Sequence, residues 1–448
     1  KNDSVIFCFY KKKGILSMNF SVITLGCKVN QYESQVMSDA MQCSGFELMH
    51  NYRDADIVIV NSCTVTAVSD SKALKLMRRI KRENPKVITV LTGCMPQAFP
   101  DELKNFDCAD IIMGNKCRND LIPIINEYIK NPHRFIRIEP HQDDVKFEKM
   151  QVSTFDERTR AFVKIEDGCN RFCSYCIIPY ARGRVRSKPL CDLKAELEAL
   201  AEKGYREVVL VGINLSAYGN DLGGINLADA IECACSVDGI SRVRLGSLEP
   251  ERMDEDTIKR LAKQEKLCPQ FHLSLQSGCD ETLKRMNRHY NTDEYMHIIE
   301  NLRKYFDNCA ITTDVMVGFP GEDENEFERS IDFVKRVGFA KVHTFAYSRR
   351  PGTVADRAKN QVQKSDKDKR SKLMIQETEK LHQAFLRSQL GKTEKVLFET
   401  RRPDGLFEGY TMNYTQVYIK TDDDVSNQIL NVRLDEIMGE GCVGTVVE

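Results

Sequence analysis

The sequence predicts an α/β protein in three parts. These are an N-terminal domain built on a parallel sheet, a central partial (β/α)6 barrel, and a small OB-like β-barrel at the C-terminus. Three observations predict this. Short β-branched runs alternate with helical patterns from residue 21 onwards, the signature of parallel strands with helices on the faces. The alternation breaks at "NPHRFIRIEPHQDDVKFEKM" (131–150), then resumes for about six further units, which suits an open relative of the (β/α)8 design. The final stretch carries five short strands and no helix, as in a small closed barrel.

The first strands are "SVITLGC" (21–27), "DIVIVNSC" (56–63) and "KVITVLTGC" (86–94), each bounded by turn residues. Helical patterns follow at 32–44, 67–83 and 97–105. In the centre, strands are expected at 161–166, 207–213, 242–247, 271–275, 310–316 and 341–346. Helices are expected near 191–203, 226–236, 254–264, 294–306 and 323–337. A charged helix over 361–390 leads to the last strands, "EKVLFET", "FEGYT", "TQVYIKT", "ILNVRLDEI" and "GCVGTVVE". The expected boundaries are 18–130, a linker at 131–154, 155–385 and 386–448.

Of the 448 residues, 42% are hydrophobic and 29% charged, with a net charge of −1. These are globular values, and the total charge gives no sign of nucleic acid, so RNA contacts would have to come from local patches. No apolar run nears the roughly 18 residues of a membrane span. At the N-terminus the apolar run precedes the lysines, the wrong order for a secretory signal. Residues 1–17 are expected to be upstream read-through or a disordered tail. Seventeen cysteines without an export signal suit metal ligation in a reducing cytoplasm better than disulfides.

Six of those cysteines carry the chemistry. Cys169, Cys173 and Cys176 stand in a C-x3-C-x2-C spacing after the strand-like "RAFVKIEDGC". Four thiolates would close a structural zinc site, and iron–sulfur clusters usually take four. Three leave one iron of a [4Fe–4S] cluster open to a small molecule. A zinc site completed by a distant His or Cys is the bland alternative. Cys27, Cys63 and Cys94 end the first three strands. Parallel strands all point one way, so these thiols emerge at the same sheet edge, where ligands bind. The other eleven, such as Cys43, Cys233 and Cys309, fit buried apolar positions.

C-x3-C-x2-C at the end of the first strand of a β/α barrel resembles the radical S-adenosylmethionine (SAM) superfamily. The stretches "TLGCKVNQYES" (24–34), "NSCTVTAVSDSKA" (61–73) and "TGCMPQ" (92–97) resemble the N-terminal domain of the methylthiotransferases. The resemblance implies two [4Fe–4S] clusters, an auxiliary one on Cys27, Cys63 and Cys94 and a SAM-cleaving one on Cys169, Cys173 and Cys176. It implies that the open iron chelates SAM, whose cleavage gives a 5′-deoxyadenosyl radical, and that a second SAM methylates sulfur held at the auxiliary cluster. It further implies a TRAM domain at the C-terminus, tRNA as substrate, and an electron donor such as flavodoxin or ferredoxin. Lys28, Val29 and Asn30 match the branch acting on threonylcarbamoyladenosine at tRNA position 37. The isopentenyladenosine branch usually has Asn-Met-Asn there, and the branch acting on a ribosomal-protein aspartate has Pro-Lys-Asn. A non-catalytic, zinc-stapled RNA-binding module is the rival outside enzymes.

By the same resemblance, Tyr175, Gly212, Asn214, Ser247, Glu249, Gln276, Asp314 and Gly318 line the SAM pocket from strand ends, with Ser277 and Gly321 beside them. Arg288 would reach a phosphate or the SAM carboxylate, or be a solvated surface residue; His289 reads as structural. Arg182, Arg184, Arg186 and Lys188 alternate in "ARGRVRSKP". On an extended segment, period two puts all four on one face, suited to RNA phosphates. Lys395, Arg401, Arg402 and Lys420 extend that footprint into the last domain, where acidic "TDDDVS" interrupts it.

Overall fold

The computed structural model describes residues 18–142, 146–150, 152 and 159–447. The expectation for residues 1–17, and part of the expected linker, lie outside the described residues.

The N-terminal domain holds six parallel strands. These are β1 (Asn19–Thr24), β2 (Glu47–Leu48), β3 (Ile57–Ser62), β4 (Ile88–Gly93), β5 (Ile111–Met113) and β6 (Phe135–Arg137), in the order β2-β1-β3-β4-β5-β6. Alternation divides its apolar residues between two faces. Ile57, Ile59 and Val90 pack with Met37, Met41 and Ile125, whereas Val58, Val60 and Leu91 pack with Ala73, Met77 and Ile80. The sequence predicts only β1, β3 and β4, because β2, β5 and β6 have two or three residues each. β6 lies inside the stretch expected to be a linker. The expected helix at 97–105 is a single turn, Cys94–Ala98, followed by a second short turn at Asp101–Leu103. Pro100 between them has no amide hydrogen to continue a helix.

The barrel opens with β7 (Arg160–Lys164), then two antiparallel short strands, β8 (Glu166–Asp167) and β9 (Arg186–Ser187). β10 (Glu207–Val211) and β11 (Arg242–Leu245) join β7 in one parallel sheet. After an interruption at Gly246 the wall continues through β12 (Ser247–Leu248), β13 (Gln270–Leu273), β14 (Ala310–Val317) and β15 (Lys341–Ala346). Outward residues such as Val163, Leu210, Val243 and Leu273 pack with helix residues Leu197, Ile231 and Ile299 in the largest core. Inward positions are polar, including Arg160, Glu207, Arg244, His272, Asp314 and His343.

The helix Lys364–Gln389 leads to a closed barrel of β16 (Thr393–Arg401), β17 (Phe407–Thr411), β18 (Gln416–Ile419), β19 (Ile429–Met438) and β20 (Gly441–Val446). This module is docked, not tethered. Arg242 donates to the carbonyls of Tyr410 and Lys395 at 2.8 and 2.6 Å, and Arg244 to those of Thr411 and Met412. The docking closes the N-terminal ends of β7, β10 and β11, the end opposite the cysteine loop.

Candidate functional site

Strand register brings the first thiol triad together. Thr24, Asn61 and Thr92 form one row across β1, β3 and β4. Two or three residues later come Cys27, Cys63 and Cys94, all at that edge. Cys27 is exposed, while Cys63 and Cys94 are buried. Cys27 occupies the cap position of the helix Lys28–Cys43 without capping it, and its thiol donates instead to Asn30 Oδ1 at 3.7 Å. Two glycines make the approach possible. At Gly26 (φ 121°) a Cβ would stand 2.6 Å from the Cys63 Cβ, and at Gly93 (φ 101°) it would stand 2.4 Å from the Ser62 carbonyl oxygen. Burial pushes the Cys94 thiol up to about 12 and raises that of Cys63. Both stay protonated at neutral pH until a metal displaces the proton.

The second triad sits in the loop between β8 and the helix Ile178–Arg182. Gly168 (φ 89°) starts it, and a Cβ there would lie 1.9 Å from the Arg184 carbonyl oxygen. The Cys169 amide donates to the Gly183 carbonyl at 3.0 Å, and the Cys176 amide to the Cys173 carbonyl at 2.9 Å. Burial pushes the Cys169 thiol up to about 11 and raises Cys176 further. Among the described residues, no three His, Cys, Asp or Glu side chains are gathered to hold a metal ion. Three cysteines on one loop and three on one sheet edge each offer three thiolates, the donor set of a [4Fe–4S] cluster with one open iron.

A cavity of about 140 Å³ opens beside Cys169 and is lined by Asn170, Asn214, Ser216, Glu249 and Arg252 among others. Asn214 donates its side-chain amide to the Cys169 sulfur at 3.6 Å, while its buried Oδ1 has no hydrogen-bond partner. That orphaned acceptor suits a ligand's amino group. Gly212 yields space to the Glu166 carboxylate, whose Oε2 would lie 2.7 Å from a Cβ there. Ser247 is exposed on β12. Gln276 bends at φ 66° and bridges to Val315. Tyr175 packs edge-on against Phe319 with ring centroids 6.4 Å apart. Of the eight residues expected around SAM, Asn214 and Glu249 line that cavity, and Tyr175, Gly212, Ser247, Gln276, Asp314 and Gly318 do not. A Cβ at Gly318 would meet Lys367 at 2.4 Å, and Asp314 lies in the barrel interior, 3.3 Å from His272 Nε2.

Arg288 is not a surface residue. It is buried, donates to the Cys173 sulfur at 3.4 Å and forms a two-pronged pair with Glu249. His289 has a partner in Arg171, at 2.9 Å. Cys43 and Cys191, expected to be buried, are exposed, Cys43 at the end of its helix.

The expected basic face does not exist as drawn. Arg182 ends a helix, Gly183 turns the chain at φ 74°, and only Arg186–Ser187 is extended. Arg182 is fully buried and Lys188 nearly so. Lys188 pairs with Glu196, and Arg186 is half-buried against Asp167 at 3.3 Å. Arg184 alone of the four is exposed, its guanidinium 5.2 Å from the Phe172 ring centre. In the last domain Lys395, Arg401 and Lys420 are exposed, and Arg402 pairs with Asp404.

Arg182 instead reaches the first triad from the segment that follows the second. Its Nε donates to the Cys94 sulfur at 3.2 Å, and its Nη atoms reach Asn30 at 2.7 Å and Glu33 at 2.5 Å. Glu33 also takes Lys164 at 2.7 Å and Arg118 at 3.3 Å. Asp167, two residues before Cys169, pairs with Lys164 at 2.6 Å. Burial alone would raise Glu33, but Arg118, Arg182 and Lys164 overcome it and hold the carboxyl at about 2. The sequence signal for this network is Lys164 inside the apolar run AFVKI.

The profile of the radical SAM superfamily matches residues 163–334, and that of "Uncharacterized protein family UPF0004" matches residues 19–114. A Threonylcarbamoyladenosine tRNA methylthiotransferase MtaB from Thermotoga maritima is 36% identical, covering 94% of this chain and 95% of that protein. A tRNA-2-methylthio-N(6)-dimethylallyladenosine synthase from Clostridium botulinum is 34% identical over 93% of this chain and 94% of its own length. The radical SAM methyltransferase TsrM from Kitasatospora setae, solved with cobalamin and a [4Fe-4S] cluster, shares the fold with a TM-score of 0.55. It is 14% identical, over 76% of this chain and 74% of that one. The fold and its cysteine loop are those of a radical SAM enzyme. With the second thiol triad and these relatives, the chain belongs to the methylthiotransferase family.

Proposed function

We propose that this chain replaces the C2 hydrogen of N6-threonylcarbamoyladenosine at tRNA position 37 with a methylthio group. The observation that carries the reading is the pair of thiol triads, one on each domain, joined through the buried Arg182. Bound to the cysteine-loop cluster, SAM supplies the radical chemistry. Asn214 and the Glu249–Arg288 pair would hold and orient that ligand beside Cys169 and Cys173, and the closed N-terminal end of the barrel would keep water from entering there. Arg182, Glu33 and Lys164 fix the distance between the two ligand sets, so that both act on one bound nucleotide.

Exposed Arg184, Phe172 and Tyr180 stand beside the cysteine loop, and two exposed aromatics next to a cation suit unstacked bases and phosphates. Lys395, Arg401 and Lys420 extend the footprint. Among the described residues no helix is long and apolar enough to cross a membrane. We place the activity in the cytoplasm, where tRNA is, with a flavodoxin or ferredoxin as reductant.

The test is nucleoside mass spectrometry of tRNA from a host lacking this activity, with and without the chain. The reading predicts a new methylthio form of threonylcarbamoyladenosine. Methylthiolation of the isopentenyl nucleoside alone would overturn the substrate assignment. A methylthiolated ribosomal protein with unchanged tRNA would overturn tRNA as the substrate class.

A further inference from the structure

The last strand of the central barrel, β15, keeps an open inner face. It pairs with β14 in parallel register, with Asp314 opposite His343 and Met316 opposite Phe345. Asp314 points into the barrel, towards His272, so alternation turns His343 and Phe345 inward as well. The His343 ring centre lies 5.8 Å from that of His272, in keeping with that direction. Both inward residues of β15 are exposed, Phe345 to 50%. Among the described residues Phe172 is the only other exposed phenylalanine.

Phe345 stands near the C-terminal end of its strand, and the loop leaving that end grips the segments of both triads. Ser348 Oγ accepts from the amide of Ala67 at 3.3 Å. Buried Arg350 donates to Thr64 Oγ1, next to Cys63, at 2.8 Å, and to Asp70 at 2.5 Å. The Ala355 amide donates to the carbonyl of Ser174, which lies between Cys173 and Cys176, at 2.8 Å. These bonds fix the open end of β15 beside both ligand sets. Phe345 is not on the cavity beside Cys169, whose walls come from the cysteine loop and the ends of β10 and β12.

We propose that Phe345 is the platform on which the adenine of the target nucleotide stacks. This rests on the tRNA reading above and says where the base is held. A base in an anticodon loop has to leave its neighbours before its C2 can face a protein-bound sulfur, and the stacking it gives up has to be regained on the protein. An aromatic ring returns it, because every base presents a π-face. A half-exposed phenylalanine in turn loses its contact with water when a flat ligand covers it. The same wall carries His272, Asp314 and His343, polar groups that suit the edge of a base and not an apolar ligand. SAM also carries an adenine, but the cavity beside Cys169 does not reach Phe345, which assigns the ring to the base of the RNA.

The test uses the cluster-loaded wild type, Phe345→Ala and Phe345→Trp, with iron content and thermal midpoint as checks of folding. The chain has no tryptophan, so Phe345→Trp places a single emitter at the platform. The probes are an anticodon stem-loop with threonylcarbamoyladenosine at position 37, the same stem-loop abasic at that position, and SAM alone. Phe345→Ala should weaken binding of the first stem-loop roughly tenfold and leave binding of the abasic one unchanged. Phe345→Trp should keep the affinity, and its emission should change with the first stem-loop and not with the abasic one. Equal losses for both stem-loops, or an emission change with the abasic one, would overturn the platform while leaving the tRNA reading in place. So would an emission change with SAM alone as large as that with the stem-loop, which would give the ring to SAM. If the wild type binds neither stem-loop, the tRNA reading falls, and the inference with it.

Discussion

The guanidinium of Arg182 lies 3.2 Å from the sulfur of Cys94, though the two residues belong to different domains. Arg182 follows the cysteine loop of the barrel by six residues, and Cys94 closes the thiol edge of the first sheet. A buried cation thus touches one triad while its own segment carries the other. Glu33, Lys164 and Asp167 complete the link without passing through solvent.

Arg182 and Arg184 should therefore part company on mutation. Arg182→Ala leaves Glu33 short of a buried partner and should cost about 3–5 kcal/mol in unfolding free energy, with loss of iron from the first triad. Arg184→Ala should weaken tRNA binding across sequences, lowering the slope of log affinity against log salt by about one. Denaturant unfolding and salt-dependent binding check the pair.

The two triads should also separate functionally. Cys173→Ala is expected to abolish SAM cleavage. Cys63→Ala should retain it and fail to insert sulfur. Assays of 5′-deoxyadenosine and of methylthio nucleoside on the same samples decide the point; methylthio product from Cys63→Ala would refute the division.

Acid should loosen the domain junction in a defined window. Glu33 has a folded-state pKa of about 2 against 4.5 unperturbed. Its depressed value means that its stabilisation is complete above about pH 4.5 and is lost as pH falls towards 2. The difference in unfolding free energy between wild type and Glu33→Gln should be largest at neutral pH and shrink through that window. A difference that stays constant with pH would show that Glu33 does not act as a charge there.

Gly93→Ala tests the strand-end geometry. The residue sits at φ 101°, and its Cβ would stand 2.4 Å from the Ser62 carbonyl oxygen. The strain, about 1–3 kcal/mol, falls between Cys63 and Cys94. Lowered iron content with a modest drop in thermal midpoint is expected.

Much of this was legible in the sequence because its signals are local. β-branched runs ending in Cys27, Cys63 and Cys94 gave the first sheet's centre and its thiol edge, and the cysteine loop gave the second triad. β5 and β6 were missed because three residues carry no periodicity. The arginine run was misread because spacing assumes one backbone conformation, and Gly183 breaks it. Arg288 was ambiguous for a different reason. Whether an arginine is solvated or buried beside Cys173 depends on Glu249, 39 residues away, and no window of sequence holds both.

Two separate clusters, one per triad, are tested most directly by metal counting. Anaerobically reconstituted wild type should hold about eight irons and eight sulfides per chain, as two [4Fe–4S] clusters require. Replacing Cys27, Cys63 and Cys94 together with Ala, or Cys169, Cys173 and Cys176 together, should each leave about four. Zinc in place of iron, or loss of all iron when either triad alone is removed, would contradict two separate clusters.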